Sequence, residues 1–562
     1  MHKGAIASKG YAIGKALCLV KKQREIPKTK ITNVQEAITQ FEDAIRKSIN
    51  AVQAIQDKLE GHHAIFQAHL EMIRDPEIKT RTEKIIKDEK LHPAYAYKVV
   101  TDEFIDVFDL MENDYFKERA SDIKDIQHRV LTYLLNEEEE PDVDYLDDTI
   151  IFTDDLTPSD TAKLDLNKVV GVVTERGGIT SHSAIMAQAF DLPALVGVGD
   201  IMKKVKTGDT VIVDAVEGNV KLKPTESELV AANVRVLTHN KRLEALKHYI
   251  DKESITQDGH KIALYANVGN PIELETIAKS GAEGIGLFRT EFLFIDRDTM
   301  PTETEQIKDY KKVFDMFDDV TVRTFDIGAD KELLYLKTNH ELNPALGERG
   351  IRLYFKEPAM FKTQIRALLK AAKDKKSLKI MFPMVSHLNE IIQAKKLIDE
   401  VIESLINDNI PHQKNLIIGI MIEVPSAALN ARELGEYVDF FSVGTNDLIQ
   451  YLYGADRTND SLTYLNKPYD PSFIKLIKHV VDAAKATNTA ISVCGELAGE
   501  LDMAPLFVGL GIDTLSMAMN RILPVRELIN NIEYTTICEI TEKILLTKSD
   551  VEIQSILKTK FK

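Results

Sequence analysis

From Ser254 onward the chain repeats one pattern eight times, a compact β-like run followed by a stretch compatible with a helix. The runs are IALYANVG, GIGLFRTE, VTVRTFDIG, LKIMFPMV, IIGIMIEVP, FFSVGTND, AISVCGEL and DTLSMA, with longer insertions after the third and the sixth. Parallel strands need crossover connections, and eight strand–helix units in about 300 residues predict a closed (β/α)₈ barrel. An open doubly wound sheet is the alternative arrangement. Chemistry in such barrels collects at the carboxyl ends of the strands, where this chain carries Arg289, Arg323, Glu423, Asn446, Asp447 and Cys494.

The barrel pattern occupies 254–562, and a chain of 562 residues has room for further domains. Residues 1–22 predict two short strands around Gly10 and Gly14. Residues 25–140 read as a helical subdomain. Thr32, Asn33, Gln35 and Glu36 suit a capping box, and Phe41, Ile45, Ile49, Val52, Ile55 and Leu59 follow at helical spacing. Between 141 and 225 the β-rich runs DTIIF, KVVGVV, ALVGV and DTVIVD predict a small α/β domain completed by residues 1–22. Residues 226–253, charged and free of Gly and Pro, predict a linker helix. The expected whole is a multidomain α/β chain.

Lys plus Arg number 71 and Asp plus Glu 88, so 71 − 88 leaves a net charge of −17. That field repels nucleic acid and anionic membrane surfaces, and an anionic ligand must be gripped by locally placed cations. Three cysteines, Cys18, Cys494 and Cys538, cannot make a disulfide framework. No apolar run approaches the roughly 18 residues of a membrane span. These features predict a cytoplasmic protein without membrane insertion.

Four constellations carry chemistry. In Gly177-Gly178-Ile179-Thr180-Ser181-His182, two glycines lead into a helical run with His182 in its first turn. A helix amino terminus favours neutral imidazole and stabilises an added phosphate, which suits a histidine nucleophile. The same residues also suit a plain glycine turn with a surface histidine. Arg289, Arg323, Arg349 and Arg457 would together grip a small, multiply charged anion, or each would pair with a rim carboxylate. Glu423 and Asp447 offer hard oxygen ligands suited to Mg²⁺, or serve as partners of those arginines. Cys494 ends the seventh run, where a thiol can donate a proton or stay inert.

The motifs GAIASKGYAIGKAL, IFQAHLEMIRDPE, LTPSDTA, GGITSHSAIMAQAFDLPALVG, GLFRTEFLF, RTFDIGADK, NPALGERGIR, GIMIEVPSA, FSVGTNDLIQY and CGELAG occur in this order. Together they resemble the Enzyme I family of the bacterial phosphotransferase system, the phosphoenolpyruvate-protein phosphotransferases, over essentially the whole chain. The resemblance implies that His182 is phosphorylated on Nε2, with Thr161 as a hydrogen-bonding neighbour. It implies that Arg289, Arg323, Asn446 and Arg457 hold phosphoenolpyruvate with help from Lys331 and Arg349. By the same resemblance Glu423 and Asp447 bind Mg²⁺, and Cys494 protonates the product to pyruvate. The helical subdomain then docks the phosphocarrier protein HPr near His69 and Arg119, and the barrel forms a homodimer.

Departures from the family pattern are Lys9 for a proline, Ile179 for a frequent Arg, Ala329 for a glycine and Glu348 for an aromatic. None removes a group assigned to catalysis, although Glu348 beside Arg349 would weaken anion binding. Pyruvate-phosphate dikinases and phosphoenolpyruvate synthases share the histidine and barrel motifs, but residues 25–140 are too short and too helical for their nucleotide-binding domain. A catalytically silent adaptor is the rival from another class, distinguished by its inability to release pyruvate.

Overall fold

The computed structural model describes residues 2–19, 26–58, 69–110, 114–135, 145–157, 160, 164–165, 167–178, 181–189, 192–295, 297, 299–328, 333, 335–336, 341–457 and 459–561. The chain forms two compact units, Met1–Leu243 and Glu244–Lys562. Among the described residues no helix is long and apolar enough to cross a membrane.

Among the described residues, the helical part of the first unit includes Val34–Lys58, Pro76–Glu89, Pro93–Asp109 and Asp114–Leu134. Local chemistry starts them. Asn33 accepts hydrogen bonds from the backbone N–H groups of Gln35 and Glu36, Asp75 does the same for Glu77 and Ile78, and prolines 76 and 93 occupy first turns where no donor is missed. Their apolar faces meet around Phe41, Val52, Ile86, Tyr97 and Val130.

The same unit holds an eight-stranded mixed sheet. Its strands are β1 (His2–Lys3), β2 (Ala5–Ser8), β3 (Tyr11–Leu19), β4 (Thr149–Thr153), β5 (Val169–Thr174), β6 (Ala194–Val196), β7 (Thr210–Asp214) and β8 (Asn219–Leu222), in the spatial order β1-β8-β7-β3-β4-β5-β6-β2. The amino-terminal segment thus forms three strands rather than the expected two, and β3 runs straight through Gly14. That glycine is needed for close approach, because a Cβ there would lie 1.8 Å from the Asp148 carbonyl oxygen.

The helix Glu226–Lys247 contains the boundary between the units, so the stretch expected as one linker, 226–253, is divided. On the first unit Arg235 pairs with Asp214 at 3.3 Å, and the His239 ring meets Tyr11 edge-on. On the second, buried Arg526 donates to the carbonyls of Tyr249 (3.1 Å), Ile250 (2.9 Å) and Gly281 (2.6 Å) and to Ser254 Oγ (2.9 Å).

The second unit is a closed barrel of parallel strands: β9 (Ala263–Val268), β10 (Ile285–Arg289), β11 (Val320–Arg323), β12 (Leu378–Phe382), β13 (Leu416–Ile422), β14 (Phe440–Val443), β15 (Ala490–Val493) and β16 (Thr514–Met517). Strand β16 pairs back onto β9, which excludes the open-sheet alternative. Alternate residues face opposite sides of each strand. Phe288, Val322, Ile380, Ile420, Phe441 and Val493 pack outward against the helices, whereas Leu287, Met381, Met421, Phe440 and Cys494 form a separate apolar plug inside.

Candidate active site at the barrel mouth

Two residues beyond the plug, the inward positions become polar. Leu287 is followed by Arg289, Met421 by Glu423 and Phe440 by Ser442, so the pleat that buries the plug also delivers these groups to the carboxyl ends of the strands. Asn446 and Asp447 arrive differently. The sequence pattern puts them at the end of a strand, but β14 stops at Val443, and both sit in the first turn of the helix Thr445–Tyr453. Asn446 Nδ2 donates to Glu496 Oε1 at 3.2 Å, and Asp447 is half-buried.

Arg323 is buried and lies 3.0 Å from Glu291 Oε1 and 3.4 Å from Asp326 Oδ2. Asp326 also receives the Arg349 fork, Nη2 to Oδ2 at 2.7 Å and Nε to Oδ1 at 3.1 Å. Its backbone N–H donates to Glu291 Oε1 at 2.7 Å. Two carboxylates therefore lock two guanidinium groups in place, while Arg323 Nε stays buried with no hydrogen-bond partner. Sequence reasoning passes over Glu291 and Asp326, which stand two and three residues beyond Arg289 and Arg323. A carboxylate so close behind a strand-end arginine is the signal that could have found them.

Glu423 is fully buried. Its Oε1 accepts the Met384 N–H at 2.6 Å, and its Oε2 has no partner. Burial first, then the charges of Asp447 and Asp326, push its carboxyl above the usual range, against the pull of Arg323 and the Met384 N–H. A buried carboxylate oxygen without a donor, beside a second carboxylate, fits a hard divalent cation such as Mg²⁺. Met384 holds a positive φ of 58° to present its N–H.

Arg289 is exposed at the end of β10, and Arg457 is exposed beyond the helix Thr445–Tyr453, its backbone N–H on Gln450 Oε1. Lys331 and the departure Ala329 lie outside the described residues. Glu348 pairs with Lys356 at 2.5 Å while Arg349 pairs with Asp326, so the two adjacent side chains face different partners. Tyr451, from the helix that carries Asp447, donates its hydroxyl to the Ala345 carbonyl and so holds the loop bearing Arg349. Cys494 is 2% exposed, its Sγ 3.7 Å from the Val443 carbonyl oxygen. Burial pushes its thiol up to about 11 and the nearby Glu423 charge adds to this, opposed by the Ser442 hydroxyl, Arg323 and Arg289.

In the first unit, His182 is the first residue of the helix His182–Ala189, after Gly177 at φ 92°. Thr161 and Ile179 lie outside the described residues. The next residue, Ser183, is buried and donates its hydroxyl to Asp155 at 2.8 Å, and Asp155 also accepts Ser121 of the helix Asp114–Leu134 at 2.9 Å. His69 is 1% exposed, with Nε2 3.1 Å from Asp122 and Nδ1 3.8 Å from Asp125, so it lies inside the helical bundle. Arg119, on the same helix as both aspartates, is half-buried.

Three family descriptions match the chain in order: PEP-utilising enzyme, N-terminal, over residues 3–119; PEP-utilising enzyme, mobile domain, over 146–218; and PEP-utilising enzyme, PEP-binding domain, over 243–534. A phosphoenolpyruvate-protein phosphotransferase of Enterococcus faecalis is 41% identical over 555 residues, covering 97% of this chain and 96% of the relative. Similar proteins of the same name occur in Staphylococcus carnosus, 40% identical over 563 residues with 99% and 98% covered, and in Listeria monocytogenes, 40% identical over 564 residues with 99% and 98% covered.

Proposed function

The chain belongs to the phosphoenolpyruvate-protein phosphotransferase family, and from that premise we propose that it moves a phosphoryl group from phosphoenolpyruvate to His182, releases pyruvate, and passes the group on to a histidine of HPr. The observation that carries this reading is the pair of buried, unpartnered polar atoms at the barrel mouth, Glu423 Oε2 and Arg323 Nε. One is an acceptor for a cation and the other a donor for an anion, which is what a metal-assisted anionic substrate requires.

Arg289, Arg323 and Arg457 neutralise the phosphoryl and carboxylate oxygens of phosphoenolpyruvate, Asn446 orients it, and Lys331 and Arg349 assist. Mg²⁺, when held by Glu423 and Asp447, adds positive charge against the phosphoryl oxygens. Neutral His182 attacks phosphorus through Nε2, with Thr161 orienting the ring. The enolate that departs takes the Cys494 thiol proton at C3 and becomes pyruvate. In the second step HPr docks on the helical subdomain, with Arg119 at the contact and His69 bracing the same helix from inside. In this reading the barrel pairs two copies, which sedimentation with phosphoenolpyruvate and Mg²⁺ checks.

Incubating the protein with Mg²⁺ and radiolabelled phosphoenolpyruvate tests the first step. The expected result is acid-labile label on the wild-type chain and none on His182→Ala, which still binds phosphoenolpyruvate because its anion site stands on the other unit. Retained label on the variant refutes the assignment of His182.

A further inference from the structure

Strand β14 reads Phe440-Phe441-Ser442-Val443, one hydroxyl among three large apolar side chains. Ser442 faces inward, two residues beyond Phe440 of the plug, and is completely buried. Its Oγ lies beside the Cys494 thiol but has no hydrogen bond of good geometry to any group. A buried hydroxyl without a partner costs folding free energy, and an alanine would fill the same place without that cost. The backbone fixes the two residues together. Ser442 is opposite Ser492 in the parallel register of β14 and β15, and the Cys494 N–H donates to the Val443 carbonyl at 3.0 Å.

We infer that Ser442 is a positioning residue for proton transfer by Cys494, its unpartnered hydroxyl turning to donate to the thiolate once the thiol has lost its proton. This rests on the reaction proposed above. When the enolate is protonated, the S–H bond breaks, a C–H bond forms at C3, and the electron pair stays on sulfur. The thiolate is then buried among Met381, Met421, Phe440 and Leu287, where charge is poorly solvated. Arg323 and Arg289 face it with positive charge and Glu423 with negative charge. Those groups are fixed, whereas a hydroxyl reorients as the sulfur changes its charge. The Ser442 proton stays on its oxygen throughout, and the thiolate is reprotonated by water once pyruvate has left.

The test uses the full-length protein and four forms: wild type, Ser442→Ala, Cys494→Ala and the double variant. Pyruvate release and KM for phosphoenolpyruvate are measured for each, together with thermal melting. A hydrogen bond to a charged group predicts that Ser442→Ala lowers kcat about tenfold to hundredfold with KM unchanged and a melting temperature equal to or above that of the wild type. It also predicts that adding Ser442→Ala to Cys494→Ala costs nothing further. Wild-type kcat in Ser442→Ala overturns the inference. So does an equal further loss in the Cys494→Ala background, or a loss that comes with raised KM and lower melting, since either marks a packing role. If the wild type releases no pyruvate, the proposed reaction itself falls; if it does and Ser442→Ala matches it, the proton-positioning role alone falls.

Discussion

Cys494 is buried in the apolar plug of Leu287, Met381, Met421 and Phe440, so its thiol keeps its proton far into the alkaline range. Burial raises its pKa to about 11, so the proton-donating form is present below that pH and is lost as pH rises through it. Pyruvate formation should therefore show no alkaline midpoint near about 8.5, the value for an exposed thiol. Cys494→Ala should lower turnover by ~10² to 10⁴ while phosphoenolpyruvate binding holds, because general acid help is needed only after phosphorus departs. Near-normal pyruvate release from that variant means that water or another group supplies the proton. Arg289, Arg323, Glu423 and Cys494 were legible from the sequence because a period of two places strand-end residues without knowledge of anything else. Glu291 and Asp326 were not, because their place behind a strand-end arginine marks them only as candidates, whereas Glu291 reaches Arg323 and Asp326 reaches Arg349 from other segments, partners that sequence spacing does not specify.

At the scale of elements, the number and order of the barrel strands followed from the repeat itself, since eight short apolar runs alternate with stretches long enough for crossover helices. The strand ends did not follow. Gly444 interrupts β14 before Asn446 and Asp447, and the first helical turn then presents both residues. Asp447→Asn should weaken Mg²⁺ and phosphoenolpyruvate binding together, because a neutral amide is a poorer ligand for a hard cation; titration calorimetry with unchanged metal affinity would contradict this. The plug constrains its own strands as well. A Cβ at Gly419 would lie 2.4 Å from the Phe440 ring, inside the barrel where the ring has little room to yield. Overpacking of this kind typically costs about 1–3 kcal/mol, so Gly419→Ala should lower the melting temperature by several degrees in calorimetry. An unchanged melting temperature would show that the plug is looser than its packing implies.

For the whole molecule, the decisive feature is that His182, the proposed nucleophile, and the candidate donor site belong to different compact units joined within one helix. Composition shifts alone marked a linker at 226–253, but they carry no information on where a helix docks, and Arg526 assigns Tyr249, Ile250 and Ser254 to the barrel unit. Two fragments then divide the chemistry. Residues 1–247, with His182 and the helical subdomain but no barrel, should exchange phosphate with phosphorylated HPr and accept none from phosphoenolpyruvate. Residues 244–562 should bind phosphoenolpyruvate and Mg²⁺. A version beginning at Ser254 should melt at lower temperature, because it deprives buried Arg526 of two carbonyl acceptors and leaves its charge-assisted donors to find water. Equal melting of the two barrel fragments would place the boundary after the Arg526 contacts. Direct labelling of the first fragment by phosphoenolpyruvate would mean that the donor site is not in the barrel, and Arg323 and Glu423 would then need other roles.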